Sequence, residues 1–331
     1  MLSFLLRRLL VGVPTLVGIS LLCFVLLYAV ETDPAVIECR SPPAGCGHVV
    51  SNSSCNCTQA KLARIRHRLH EDEPYWWQYG WFVYQTASLR EPTVQAVLGP
   101  MGNTLQLIAS AFALETVLGL LVGFAATLWR RAGRLLAFAC LILVSLPAFL
   151  VADFFIAYLV EPRLSFGVAD FFRIVPPNEP PAFPGAFHPA WWAHHMLLPS
   201  LTMAVGGLAY VALMLRASLG EALRADFVVT ARAKGLARRV VVGKHAFRLA
   251  ALPVVMLLSV DVARLLTADI IAERIFQWNG IADVVLNAVE ERDAPTVIVI
   301  GMIFALLWVG ITALADLAAA ALDPRIRLEG R

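Results

Sequence analysis

Six stretches of this chain are each long enough to cross a lipid bilayer and nearly free of charge, and they decide what it can fold into. They cover about residues 9–30, 104–129, 135–160, 196–215, 252–272 and 296–317. A helix needs roughly 20 apolar residues to span the hydrocarbon, and each run supplies that. The composition agrees, with 59% hydrophobic and 15% charged residues. Together the runs use most of the 331 residues and leave no room for a second soluble domain with its own core. The expected fold is an all-α polytopic membrane protein with six transmembrane helices.

Charge sets the orientation. The first run follows Arg7 and Arg8, is too long for a signal-peptide apolar region and has no A-x-A site after it, so it reads as a retained anchor with its N-terminus inside. The short inside loops then hold Arg130, Arg131 and Arg134, the cluster from Arg216 to Arg248, and Arg325, Arg327 and Arg331. The short outside loops hold Arg163, Arg173, Arg274 and Arg292 among Glu161, Asp170, Glu179, Glu273, Asp283, Glu290, Glu291 and Asp293. That asymmetry follows the positive-inside rule and places both termini in the cytoplasm. The net charge of +3 is thereby a topology signal and calls for no nucleic-acid partner. The expected organisation is a first transmembrane helix at 1–30, an exported loop at 31–102, and a five-span core at 103–331 with a helical cytoplasmic loop at about 217–251 between spans 4 and 5.

The exported loop contains "RSPPAGCGHVVSNSSCNCTQ" and then an expected helix, "AKLARIRHRLHEDEPYWWQYGWFVYQTA"; "RIVPPNEPPAFPGAFHPAWW" precedes the fourth span. Backbone this rich in Pro and Gly cannot sit unpaired in lipid, so both segments lie at or above the outer headgroups. Trp76, Trp77, Trp81, Trp191 and Trp192 suit that level as an aromatic belt, with a docking surface for an outside partner as the other reading. Cys23 and Cys140 lie in spans and read as small apolar residues. Cys39, Cys46, Cys55 and Cys57 lie in the exported loop, where the surroundings are oxidising. A bond between Cys55 and Cys57 would be strained, so each is expected to pair with Cys39 or Cys46; a metal site with His48 is the competing reading.

The sequence has no H-E-x-x-H, G-x-S-x-G or phosphate-loop pattern, so neither proteolysis nor ATP hydrolysis by this chain is indicated, and no cofactor or metal is expected. His194 and His195 read as interfacial histidines. Ionisable residues within the spans say more, because each costs roughly 2.5–3.5 kcal/mol at mid-bilayer on insertion scales. They are Glu115, Asp153, Asp261, Arg264 and Asp269. Asp261 and Arg264, three residues apart, can pair on one helix face, which Ala268 shares. Two roles stay open for Asp261, Arg264 and Asp269: polar glue between helices, or the lining of a translocation pathway.

The remaining charge is concentrated in "ADFVVTARAKGLARRVVVGKHAFRLAALPVV", residues 225–255. A first short helix ends at Gly235, where a sharp turn is possible, and a second amphipathic segment is expected to end at Pro253. The small residues Ala231 and Ala233 make a poor lipid anchor and a good close-packing face for another protein. This stretch resembles the cytoplasmic coupling loop of the membrane-spanning subunits of ABC importers, in the dipeptide/oligopeptide branch. Other stretches resemble that branch in order: "LLRRLLVGVPTLVGISLLCFVLL", "GNTLQLIASAFALETVLGLLVGF", "SLPAFLVADFF", "LLPSLTMAVGGLAYVALMLRASLGEAL" and "ALDPRIRLEGR".

The resemblance implies a non-catalytic permease subunit in a bacterial plasma membrane. Its implied partners are a second permease subunit, two cytoplasmic ATPase subunits that carry ATP and Mg, and an extracytoplasmic solute-binding protein. Its substrate would be a peptide-like solute moved by alternating access. It also implies that Thr230, Ala231, Arg232, Ala233, Lys234, Gly235 and Leu236 form the helix that docks on an ATPase. The chain departs from the family in three places: "FQWNGIAD" replaces a glycine-rich turn after Glu273, the exported loop is rich in cysteine, and Asp261, Arg264 and Asp269 stand where small or neutral residues are expected. The reading from another class is a secondary transporter or channel that works without ATPases.

Overall fold

A computed structural model describes residues 13–22, 24–25, 63–64, 66–67, 73–87, 92–160, 195–290 and 294–322. All regular structure among them is helical. Helix α1 is Val13–Leu22. It is followed by α2 (Tyr75–Ala87), α3 (Pro92–Leu128), α4 (Arg130–Ser145) and α5 (Ala148–Phe155). Then come α6 (Leu197–Ala222), α7 (Asp226–Ala233), α8 (Phe247–Ile275), α9 (Ile281–Glu290) and α10 (Ala294–Leu322). Cys39, Cys46, Cys55 and Cys57, with both ends of the first span, lie outside the described residues.

Among the described residues, four segments are long and apolar enough to cross a membrane: Val97–Leu128, Leu197–Ala222, Val241–Ile275 and Thr296–Ala319. The expected third span is not one straight helix. Arg131–Ser145 and Ala148–Tyr158 meet at a bend of 100°. Pro147 is the cause, because a residue before proline is pushed out of the helical region: Leu146 has φ −83° and ψ 123°, and Pro147 itself is extended before it starts α5. Counted as one broken span, the pair brings the total among the described residues to five.

Two further expectations are corrected. The helix foreseen across residues 60–87 is interrupted at Glu73–Pro74 and restarts at Tyr75, where the Pro74 carbonyl accepts from the Trp77 and Gln78 amides. Proline is well placed just before a helix because its missing N–H is not needed there. The second amphipathic segment does not end at Pro253: after a π-helical turn at Val241–Ala246, α8 runs through that proline to Ile275.

The chain divides into two compact units. One comprises Met101–Ala282 with the last helix from Trp308 onward; the other holds α1, α2, the start of α3 and Asp283–Leu307. In the first unit, α6 is the central helix. Leu107, Ile108, Ala111, Met203, Leu265 and Ala268 form one buried cluster of α3, α6 and α8, and Val211, Leu215, Leu219, Ala246, Ala250 and Val254 form another nearer the α7 end. Gly119 and Gly123, spaced as G-x-x-x-G, bring α3 against α6: a Cβ on Gly119 would stand 2.7 Å from Val211 Cβ and 2.9 Å from the Leu208 carbonyl oxygen. Such small-residue pairs let helices pack closely where lipid offers no hydrophobic drive.

Candidate functional site

Three polar constructions stand out in the first unit. The first is a clamp at mid-helix. Arg264 on α8 donates from Nε to Asp261 Oδ1 at 2.7 Å and from Nη2 to Asp261 Oδ2 at 2.8 Å, so the expected pair forms, and in two-pronged geometry. The same guanidinium donates to Glu115 Oε2 of α3 at 2.6 Å and to the Met203 carbonyl of α6 at 2.8 Å. One side chain therefore ties three helices. Glu115 is fully buried and Asp261 is 7% exposed, while the Arg264 side chain keeps 29% exposure. Gly207 makes the arrangement possible, because a Cβ there would overlap both Glu115 Oε2 and Arg264 Nη2. Glu115 was visible in the sequence as an acid within a span; that it serves Arg264 depends on a contact 149 residues away.

The second is a lock at the end of α8. Sequence reading assigned Glu273 to an outside loop; the structure places it in the last turn of α8 with 1% exposure. Its Oε1 accepts from Thr104 Oγ1 of α3 at 2.5 Å, and its Oε2 accepts from the Ala282 amide at 2.7 Å. Thr104 Oγ1 in turn accepts from the Ile281 amide at 2.8 Å. The first two amides of α9, which have no partner within their own helix, are thus both satisfied. A carboxylate at a helix N-terminus also meets the favourable end of its dipole.

The turn "FQWNG" is shaped to this task. Gln277 adopts φ 55°, Asn103 donates to the Asn279 carbonyl at 2.6 Å, and buried Trp278 donates from Nε1 to the Asn103 carbonyl at 3.3 Å. Gly280 is required because a Cβ would overlap the Glu273 carboxylate. Asp269 lies one turn before Glu273 and is fully buried, and neither carboxylate oxygen has a hydrogen-bond partner among the described residues.

The third is the loop that carries α7. Asp226 opens α7 and favours its dipole. At the other end, the Leu236 amide donates to the Ala231 carbonyl at 3.3 Å and Gly235 has φ +78°. That is a Schellman ending with glycine in the left-handed position, so the expected turn at Gly235 is present. The structure separates the two alanines, however. Ala231 is buried with Val228 and Val241, whereas Ala233 is exposed, as are Thr230, Lys234, Gly235 and Leu236. Positions two apart on a helix point roughly 200° from each other, so only Ala233 can belong to an outer contact. Val229, four residues earlier, shares that side at 62% exposure, while Phe227, at 40% exposure, stands four residues before Ala231 and on its side of the helix.

Comparison with known proteins accounts for nearly the whole length. The profile of the binding-protein-dependent transport system inner membrane component matches residues 115–328, and that of its N-terminal membrane component matches residues 1–98. A peptide permease protein of Brucella ovis is 30% identical, covering 99% of this chain and 100% of the relative. A dipeptide transport system permease protein of Alkalihalophilus pseudofirmus is 28% identical, with 99% and 100% covered. A glutathione transport system permease protein of Escherichia coli K12 is 27% identical, with 99% of each covered. The family match includes the clamp, the lock after Thr104 and all of α7, and the chain belongs to the family of binding-protein-dependent transport system inner membrane components.

Proposed function

We propose that this chain is the permease subunit of an ATP-driven importer of peptides or peptide-like solutes, with six spans and both termini in the cytoplasm of a bacterial plasma membrane. It carries no catalytic chemistry; ATP and Mg belong to two cytoplasmic ATPase subunits, and a second permease and an extracytoplasmic binding protein complete the assembly. The full-length relatives named for peptide, dipeptide and glutathione transport support the substrate class. Two disulfides joining Cys39 and Cys46 to Cys55 and Cys57 stabilise the exported loop in this reading. Asp261, Arg264 and Asp269 belong to the translocation pathway in this reading, with Arg264 presenting its exposed side to the solute.

The observation that carries the reading is the two-faced α7. One face, Val228 and Ala231, is sealed against Val241; the opposite side leaves Val229 and Ala233 exposed, and Lys234 and Leu236 after them are exposed too. In this reading residues 230–236 dock in an ATPase groove, and closure of the ATPases moves the spans through that contact.

Val229→Glu with Ala233→Glu therefore abolishes ATP-driven uptake and co-purification of the ATPases, while the subunit inserts and keeps its thermal stability. Ala231→Glu has a different signature, because it places a charge inside the subunit and lowers stability before any docking is tested. Undiminished uptake in the Val229→Glu/Ala233→Glu variant refutes the docking face.

A further inference from the structure

Helix α2, "YWWQYGWFVYQTA", has no Lys, Arg, Asp or Glu in its 13 residues. Its two faces differ. On one, Gln78 is buried and donates to the Glu73 carbonyl at 2.6 Å. Tyr79 is fastened to the first span: its hydroxyl hydrogen-bonds Ser20 Oγ at 2.7 Å, and its ring meets Phe24 edge-on at 5.4 Å. On the other, Trp76, Trp77 and Tyr84 are 71%, 49% and 65% exposed, and Gly80 stands between them with open space where a Cβ would be. At 100° per residue, positions 76, 77, 80 and 84 fall within about a quarter-turn of one another.

We infer that α2 is an interfacial anchor, lying along the membrane with Trp76, Trp77, Gly80 and Tyr84 set into the boundary between lipid headgroups and acyl chains. Three observations favour lipid over a protein partner. Rings with an apolar body and one polar tip are the side chains that collect at this boundary. The face offers no charge with which to select a protein surface. The helix is also tied to α1 and the residues just after it, whose exposed side chains are Val13, Val17, Leu21, Leu22 and Val25 with Pro14 and the single hydroxyl of Thr15, so the aromatic face extends a mostly apolar surface suited to lipid. Interfacial helices usually add basic residues for anionic headgroups; here the tether through Tyr79 replaces that attraction. Assignment to the outer leaflet rests on the proposed topology, but lipid contact does not depend on transport function.

The test replaces Trp76, Tyr84 or Gln78, one at a time, by the photoreactive residue p-benzoylphenylalanine in the full chain, reconstituted in nanodiscs of phosphatidylethanolamine and phosphatidylglycerol. After irradiation, the peptide carrying position 76 or 84 gains the mass of one phospholipid, and the peptide carrying position 78 does not. The same adducts form when only phosphatidylethanolamine is present. Water-quenched product without lipid adduct at both 76 and 84 overturns the inference. So does replacement of the lipid adduct by a cross-link to another subunit when the assembly purified through this chain is placed in the same nanodiscs. Because the readout needs only a membrane-inserted chain, loss of ATP-driven uptake with lipid adducts intact counts against the transport reading alone.

Discussion

Arg264→Ala lowers the stability of the subunit by about 3–5 kcal/mol, the range for removing one partner of a buried ion pair. The reason is arithmetic at the clamp. The guanidinium answers two carboxylates, Glu115 with no exposure and Asp261 with 7%, and its loss leaves both without their cation. Neutralising the acids reverses the effect, so Glu115→Gln/Asp261→Asn/Arg264→Ala recovers most of the lost stability. A thermal unfolding series in detergent, read on the intact membrane protein, checks this order.

The same series tests the pathway role. If Arg264 presents its exposed side to the solute, the rescued triple variant is stable and transports with altered rate or selectivity. Native uptake by that stable variant assigns the clamp to structure alone.

Glu273→Ala comes next in size, with an expected loss of about 2–4 kcal/mol. It strands the Thr104 hydroxyl and the Ala282 amide inside the protein, and each unsatisfied buried group costs roughly 1–3 kcal/mol. Glu273→Gln costs much less: its oxygen can accept from Ala282 while its amide donates to Thr104, whose hydroxyl can rotate. Hydrogen exchange separates this from a general loss of fold. The amides of Ile281 and Ala282 exchange faster in Glu273→Ala while those at the centre of α6 remain protected. Uniform acceleration across α6 contradicts a local lock.

How legible these features were in the sequence depends on the length scale of the cause. The Asp261–Arg264 pair and the Gly235 turn are local, and spacing alone foresaw both. Ala231 and Ala233 were grouped by composition, although helical periodicity already places them on opposite sides. The bend before Pro147 escaped because an apolar window registers length and oiliness, whereas the break comes from a backbone restriction on Leu146.

Glu273 was assigned to a loop because a charge at the end of an apolar run looks like its boundary. Its burial depends on Thr104, 169 residues earlier, and on a glycine at 280 that leaves space for the carboxylate. Gly207 gave no signal of its own, since its role exists only once α3, α6 and α8 have met around Arg264.

The most direct measurement is peptide uptake into proteoliposomes that carry the assembly purified through this chain, with ATP supplied on the side of the α7 loop. The account predicts uptake of short peptides that requires ATP, requires the co-purified ATPase subunits and disappears in the Val229→Glu/Ala233→Glu variant. Peptide or ion flux through this chain alone, unchanged by ATP, would contradict it.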